Sequence, residues 1–106
     1  MFINYFQKNW RLIKIKLESK EILAINLKYY RYISKLSQEK FAEILDTSLI
    51  YENQLEKGRR NPSLEMLDRI ADSISKLLDI NVTSSELIKY DQKKIVTAKR
   101  IDETKK

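Results

Sequence analysis

The chain has 106 residues and a formal net charge of +6, and it contains no cysteine, no histidine, one glycine and one proline. That length holds one domain with a modest core. The composition rules out disulfides, metal sites built on cysteine or histidine, and histidine-based catalysis, and it leaves no glycine-rich phosphate loop, so we predict a protein without catalytic activity, metal or cofactor.

The first 18 residues are predicted to form an extension outside the main fold. Residues 12–18 alternate Ile13, Ile15 and Leu17 with charged side chains, which is the pattern of a half-buried strand. A single strand needs a partner edge, and residues 94–101 have comparable β-propensity. The two segments could pair within one chain or across a dimer; the alternative is an irregular or helical extension.

The pattern becomes helical from Ser19. Leu23, Leu27 and Tyr30 fall on one face at spacings of four and three, and a second apolar stripe includes Ile25. We expect the first face to pack on the centre of the fold and the second to hold the N-terminal extension.

Residues 37–63 indicate two short helices joined by a tight turn. Ser37 suits the N-cap of a helix from Gln38 to Leu45, and residues 46–48 interrupt the pattern with side chains that favour turns and caps. A second helix then covers Leu49 to about Lys57, and Gly58 ends it. Two short helices joined in this way form a helix-turn-helix, whose second helix is shaped to enter the DNA major groove.

The letters of this stretch resemble a known family. SQEKFAEIL, the turn with TS, and QLEKGRRNPSLEMLDRIA are similar to the phage repressor and Cro-type helix-turn-helix family, often called XRE. The resemblance extends upstream to LKYYR at residues 27–31 and downstream to ELI at residues 86–88, so it covers about 60 residues. It implies an all-α, five-helix helix-turn-helix domain, which we place at residues 19–90. The N-terminal extension 1–18 and a basic C-terminal tail 91–106 lie outside this domain.

The two remaining helices of that domain follow the motif. Ser63 is suited to cap a helix that continues to about Leu78, and Ser84 or Ser85 is suited to cap a short helix through Tyr90. Beyond it, the tail is expected to be either a strand with a frayed basic end or wholly flexible.

The resemblance also implies roles for individual residues. The helix at 48–57 would be the recognition helix, with its base-reading face formed by Leu49, Ile50, Asn53 and Gln54. The predicted phosphate contacts are Gln38, Ser48, Lys57, Arg59 and Arg60. Arg31 and Glu56 stand where family members place a structural ion pair, which would tie the first helix to the recognition helix.

Two positions depart from the family pattern. Asp46 stands where the turn normally has glycine, and Asp tolerates the left-handed conformation better than most residues. Glu52 stands where the family has a buried apolar residue. Either the helix is rotated so that Tyr51 and Leu55 form the buried pair, which would expose an apolar patch to another protein, or Glu52 meets a basic partner.

Charge is distributed unevenly, because residues 1–36 carry +6, residues 37–63 carry −1 and residues 64–106 carry +1. DNA affinity must therefore come from locally placed cations or from the chain ends. We expect a sequence-specific transcriptional regulator of the repressor type that binds an operator in double-stranded DNA as a homodimer. The alternative is a protein-interaction or antitoxin-like module on the same fold.

The remaining expectations concern location and ligands. The N-terminus lacks the charged-then-apolar run of a signal peptide, and no stretch approaches the roughly 18 apolar residues of a membrane helix. We therefore expect a cytoplasmic protein without a membrane partner, and we expect no small-molecule ligand.

Overall fold

The computed structural model describes residues 17–104, with side chains up to residue 98. This part of the chain contains no strand, which confirms the all-α prediction. Its helices are α1 (Ser19–Ile33), α2 (Gln38–Leu45), α3 (Leu49–Glu56), α4 (Leu64–Leu78), α5 (Ser84–Leu87) and α6 (Gln92–Thr104). Within it, no helix is both long and apolar enough to cross a membrane.

Serine caps start the helices of the motif. The Oγ atoms of Ser37, Ser48 and Ser63 accept hydrogen bonds of 3.0–3.1 Å from the backbone N–H three residues later. Each satisfies one of the amides that a helix N-terminus leaves without an intrahelical partner. At the other end, Asp46 adopts the left-handed conformation (φ 57°) after α2, and Gly58 does so (φ 69°) after α3. The motif boundaries are therefore encoded locally.

The short helix α5 differs from the prediction. Its cap is Thr83 rather than Ser84 or Ser85, and it ends at Leu87 rather than at Tyr90. The cause lies in α1, where the buried side chain of Asn26 donates from Nδ2 to the carbonyl oxygens of Leu87 (2.8 Å) and Lys89 (3.1 Å). Those carbonyls are satisfied by a side chain rather than by a further turn of helix.

The core lies between α1, the two motif helices and α4. Its fully or almost fully buried side chains include Leu23, Leu27, Phe41, Leu45, Leu55, Ile70, Ile74 and Leu87. Burying each such side chain contributes about 1.5–3 kcal/mol before the cost of chain ordering. Because α1 contacts α3, α5 and α6, it is the central support of the domain.

The interpretation of residues 94–101 as a strand or a flexible tail is wrong. They belong to α6, which packs along α1 and buries Ile95 and Ala98. Lys94 reaches the same surface, and its Nζ lies 3.0 Å from the hydroxyl oxygen of Tyr30. The three-residue spacing of the buried pair suits a helix, and the packing partner on α1 outweighs the β-propensity of the segment.

The helix α6 also changes the expected use of α1. The second apolar side of α1 is predicted to hold the N-terminal extension, and α6, which was not expected there, also packs along α1. The predicted extension and its strand lie outside the described residues except for Leu17 and Glu18, which are not in a strand.

Candidate nucleic-acid interface

The turn between α2 and α3 sets the angle of the motif. Asp46 takes the left-handed conformation that the family pattern assigns to glycine, and the N–H of Thr47 donates to the carbonyl of Ala42 (2.9 Å) to close the end of α2. The chain then re-enters a helix at once, because Ser48 caps α3. This arrangement packs α3 across α2 and α1 and leaves the first turn of α3 at the surface.

The predicted base-reading residues share one surface. Leu49 and Ile50 are 46% and 70% exposed, and Asn53 and Gln54 are half-buried beside them. A shallow surface depression is lined by Gln38, Leu49, Ile50, Asn53, Gln54, Lys57 and Arg59. Six of these seven belong to α3 or to the residues that follow it, and Gln38 comes from the start of α2. Ser48 and Arg60 were predicted with them but do not line the depression.

Beneath this surface, α3 is joined to α1 by an ion pair. Arg31 Nε lies 2.7 Å from Glu56 Oε2, and Arg31 Nη2 lies 2.9 Å from Glu56 Oε1. Arg31 also donates from Nη1 to the carbonyl of Leu36 (3.1 Å). Both charged groups are buried, so the two-point geometry is of the kind that stabilises a desolvated pair.

Each member of this pair favours the charged form of the other. Burial by itself would raise the pKa of Glu56, but the hydrogen bonds and positive charge of Arg31 outweigh burial and lower that pKa. Burial likewise opposes the charge on Arg31, yet the Glu56 carboxylate raises the pKa of the guanidinium. Both groups are therefore charged at neutral pH.

A chain of hydrogen bonds runs from the ion pair to the surface. Gln38 Nε2 donates to Glu56 Oε1 (3.3 Å), and Gln38 Oε1 accepts from Asn53 Nδ2 (3.1 Å). Gln38 was predicted as a phosphate contact and Asn53 as a base reader. The structure brings the two amides together, so the side chain of Gln38 is already engaged within the protein.

Glu52 lies inside the protein and has no compensating partner. It is 0% exposed, and neither carboxyl oxygen accepts a hydrogen bond from a donor among the described residues. The helix is therefore not rotated: Glu52 occupies the inward position together with Leu55, and Tyr51 is only half-buried. Nor does Glu52 acquire a basic partner of its own, because Arg31 is paired with Glu56.

The environment of Glu52 favours its protonated form. Burial, first of all, and then the neighbouring Glu56 carboxylate raise its pKa to about 9, while the positive charge of Arg31 opposes the shift. An ionised carboxylate cannot donate, but a protonated one can donate to the neighbouring Glu56 carboxylate one turn away. At neutral pH, α3 therefore carries one neutral and one ionised carboxyl group on its inner side.

A comparison of the sequence with family models agrees with this geometry. A model described as Helix-turn-helix matches residues 27–82, which is more than half of the chain and includes α2, α3 and α4. The chain belongs to the phage repressor and Cro-type helix-turn-helix family. This family consists of DNA-binding transcriptional regulators rather than enzymes.

One similar protein is a named regulator. The chain is 39% identical over 59 residues to control protein C.SmaI of Serratia marcescens, and the match covers 56% of this chain and 70% of that protein. No solved structure matches the chain. The helix α6 and residues 1–26 lie outside the match to the helix-turn-helix family.

Three basic side chains lie beside the exposed face of α3 in this helix-turn-helix protein, and they differ in their contacts. Lys57 and Arg59 project into solvent. Arg60 is also exposed, but its Nε donates to Gln54 Oε1 and its guanidinium lies 5.2 Å from the centre of the Tyr51 ring. The predicted base reader Gln54 is thus held by a surface arginine, whereas Asn53 is held from the protein interior.

Several of these contacts were not predicted from the sequence. The neutral carboxyl at Glu52 could have been predicted, because the sequence places two glutamates four residues apart on the inner side of α3 with one arginine beside them. No sequence pattern predicts the contacts of Gln38 with Asn53 and of Arg60 with Gln54, since each depends on the packing of segments that are distant or irregular.

Proposed function

We propose that this regulator is a sequence-specific repressor that reads the DNA major groove with α3. The solvent-facing side of α3 carries the proposal, because it presents two apolar and two amide side chains on one surface. A helix of this kind can enter the major groove, where base edges are distinguishable by their donors, acceptors and methyl groups.

The side chains on that face favour particular bases. The amides of Asn53 and Gln54 offer the donor and acceptor pair that suits adenine N6 and N7, and each good pairing discriminates by about 1–3 kcal/mol. Leu49 and Ile50 can contact thymine methyl groups. We therefore propose that the DNA site bound by the protein is rich in A·T pairs.

Phosphate contacts would supply most of the affinity that does not depend on sequence. We assign Lys57, Arg59 and Arg60 to phosphates by charge and position, with Ser48 and Gln38 as neutral donors at the starts of the two motif helices. Because residues 37–63 carry a net charge of −1, these few cations must act locally rather than through a broad basic surface.

We further propose that the protein binds DNA as a homodimer. One motif covers only a few base pairs, and two linked motifs on half-sites about 34 Å apart gain affinity through effective concentration. With residues 94–101 in a helix, strand pairing through that segment no longer supports the dimer. The exposed side chains of Ile80 and Ile88, on either side of α5, offer an apolar alternative.

Selection from a randomised DNA duplex library tests the central proposal. The protein should enrich one sequence class, and Gln54→Ala should relax the preference at a single base pair while thermal unfolding stays unchanged. Uniform weakening on all sequences would contradict a base-reading role for Gln54. A protein that enriches no sequence would contradict the proposed function as a whole.

A protein-interaction module is the second candidate. It is favoured by the exposure of Ile44, Leu49 and Ile50, three apolar side chains on the two helices of the motif. The two candidates differ in salt dependence, since DNA binding weakens steeply with added salt and an apolar contact does not. Titration of duplex binding with salt therefore separates them.

A further inference from the structure

Hydrogen-bond polarity is fixed step by step between the buried ion pair and Asn53. The ionised carboxylate of Glu56 can only accept hydrogen bonds. Gln38 must therefore turn its NH₂ group toward Glu56, at 3.3 Å, and this leaves its carbonyl oxygen directed at Asn53. An oxygen cannot donate, so Asn53 must donate from its own NH₂ group, and its Nδ2 lies 3.1 Å from Gln38 Oε1.

The polarity does not depend on which end of either amide is assigned as oxygen. If Gln38 were reversed, its oxygen would face the Glu56 carboxylate, and two acceptors would be held together beside a buried charge. Arg31 holds Glu56 in its ionised form through two hydrogen bonds. The ion pair between α1 and α3 thus determines the orientation of a side chain at the protein surface.

We propose that Gln38 is a positioning residue that makes Asn53 present its carbonyl oxygen to DNA, so that a base with an amino group in the major groove is preferred opposite Asn53. This inference rests on the proposed reading of the major groove by α3, and it adds a specificity rule that neither amide provides alone.

The rule separates the four bases. Adenine N6 and cytosine N4 donate hydrogen bonds in the major groove, whereas guanine and thymine present only acceptors there. Adenine should be preferred over cytosine, because its N7 can also accept the second N–H of the Asn53 amide. Gln54 has no such buried anchor, since its oxygen is held by the exposed Arg60.

The test compares all four base pairs at the position that Asn53 reads. The site is first selected from the randomised duplex library, and the position is located as the one where Asn53→Ala loses discrimination. Gln38→Met keeps the length of the side chain but has no donor and only a weak sulfur acceptor. It should reduce the preference for adenine and cytosine over guanine and thymine there by about tenfold, with other positions unchanged.

Gln92→Met is the matched control, because it makes the same substitution at an exposed position in the first turn of α6 and should leave discrimination unchanged. A phosphate role alone for Gln38 predicts a different result: Gln38→Met would weaken binding evenly for all four base pairs. That result would overturn the inference and leave the proposed function intact. Failure of the wild-type protein to select any sequence would instead remove both.

A second variant tests polarity at the reader itself. Asn53→Asp keeps an outward acceptor but removes the NH₂ group, so it should retain the preference for adenine and cytosine although overall affinity falls through charge repulsion. A preference that shifts to guanine or thymine, or that vanishes, would show that Asn53 uses its NH₂ group and would overturn the inference.

Discussion

Two buried polar clusters join α1 to the rest of the protein, and they are built differently. Near the middle of α1, the neutral amide of Asn26 donates to backbone carbonyls at the end of α5. Nearer its C-terminal end, Arg31 pairs with Glu56 of α3, and a second glutamate, Glu52, lies beside them. The first cluster contains no titratable group, whereas the second contains three.

Buried charge, which is costly to desolvate, lies under α3 and not under α5. A neutral amide is enough to hold α5, none of whose residues lines the depression on the proposed DNA surface. The helix α3 rests on buried charge, and one of its two inward carboxyl groups must remain protonated. The same cluster is connected through Gln38 to Asn53 at the surface. The costly cluster therefore supports the residues that we propose read DNA.

The largest effect is expected from Arg31→Met, which removes the positive charge from the second cluster. Two buried glutamates would then face each other without the guanidinium, and the free energy of unfolding at pH 7 should fall by about 3–5 kcal/mol. Urea denaturation measures this loss. The control is Arg69→Met, because Arg69 forms an exposed 3.6 Å pair with Asp46 and should change stability by no more than about 1 kcal/mol. Equal effects of the two variants would contradict the account of the buried pair.

The next effect is a gain, expected from Glu52→Gln. The folded pKa of about 9 lies above the ordinary value of 4.5, so folding at pH 7 includes the cost of taking up a proton. At 1.36 kcal/mol per pKa unit, that cost is up to about 3 kcal/mol, and Gln removes it while keeping a donor for Glu56. Glu52→Ile should also stabilise the fold, because it replaces a desolvated carboxyl with apolar volume.

The pH dependence of Glu52→Gln gives the sharper measurement. A raised folded pKa means that the contribution of Glu52 is fully present below about pH 4.5 and is lost as the pH rises toward about 9. The stability of the wild-type protein should therefore decline relative to the variant across pH 5–8 in urea denaturation. Parallel profiles would contradict the protonated state of Glu52.

Asn26→Ala should have a smaller and different effect on the first cluster. It leaves the carbonyls of Leu87 and Lys89 without their side-chain donor, at a cost of about 1–3 kcal/mol. Because no group in this cluster titrates, the loss should be the same at pH 5 and pH 8 in urea denaturation. A loss that varies with pH would show that the two clusters are coupled.

The two clusters also mark how far the sequence could predict the structure. The motif boundaries at Ser37, Asp46 and Gly58 follow from local preferences for caps and left-handed turns, and they agree with the structure. The early end of α5 depends on Asn26, about 60 residues away, and no local pattern contains it.

The prediction failed most clearly at α6. The β-branched residues in the segment 94–101 suggested a strand, whereas the observed helix depends on packing Ile95 against α1. At the candidate site, the positions of Leu49, Ile50 and the amide residues could be predicted from the family register. The link between Gln38 and Asn53 could not, because it depends on how α2 and α3 pack.

The smallest effect on the fold is expected from Arg59→Ala, which removes a charge from the surface above the second cluster. Arg59 is exposed, so stability should change by less than about 0.5 kcal/mol. Duplex binding should weaken to a similar extent on every sequence, and the slope of log affinity against log salt should decrease by about one unit. Lys76→Ala, at an exposed site on α4, is the control and should leave that slope unchanged.

The central claim is that α3 reads DNA from the major groove, and inosine substitution tests it most directly. An inosine·cytosine pair presents the groups of a G·C pair in the major groove and those of an A·T pair in the minor groove. Affinity is measured on the selected duplex after the A·T pairs that the protein prefers are replaced, one at a time, by inosine·cytosine. The account predicts that each replacement weakens binding as strongly as replacement by G·C does. Affinity retained on the inosine duplexes, together with loss on the G·C duplexes, would place the reading in the minor groove and contradict the account.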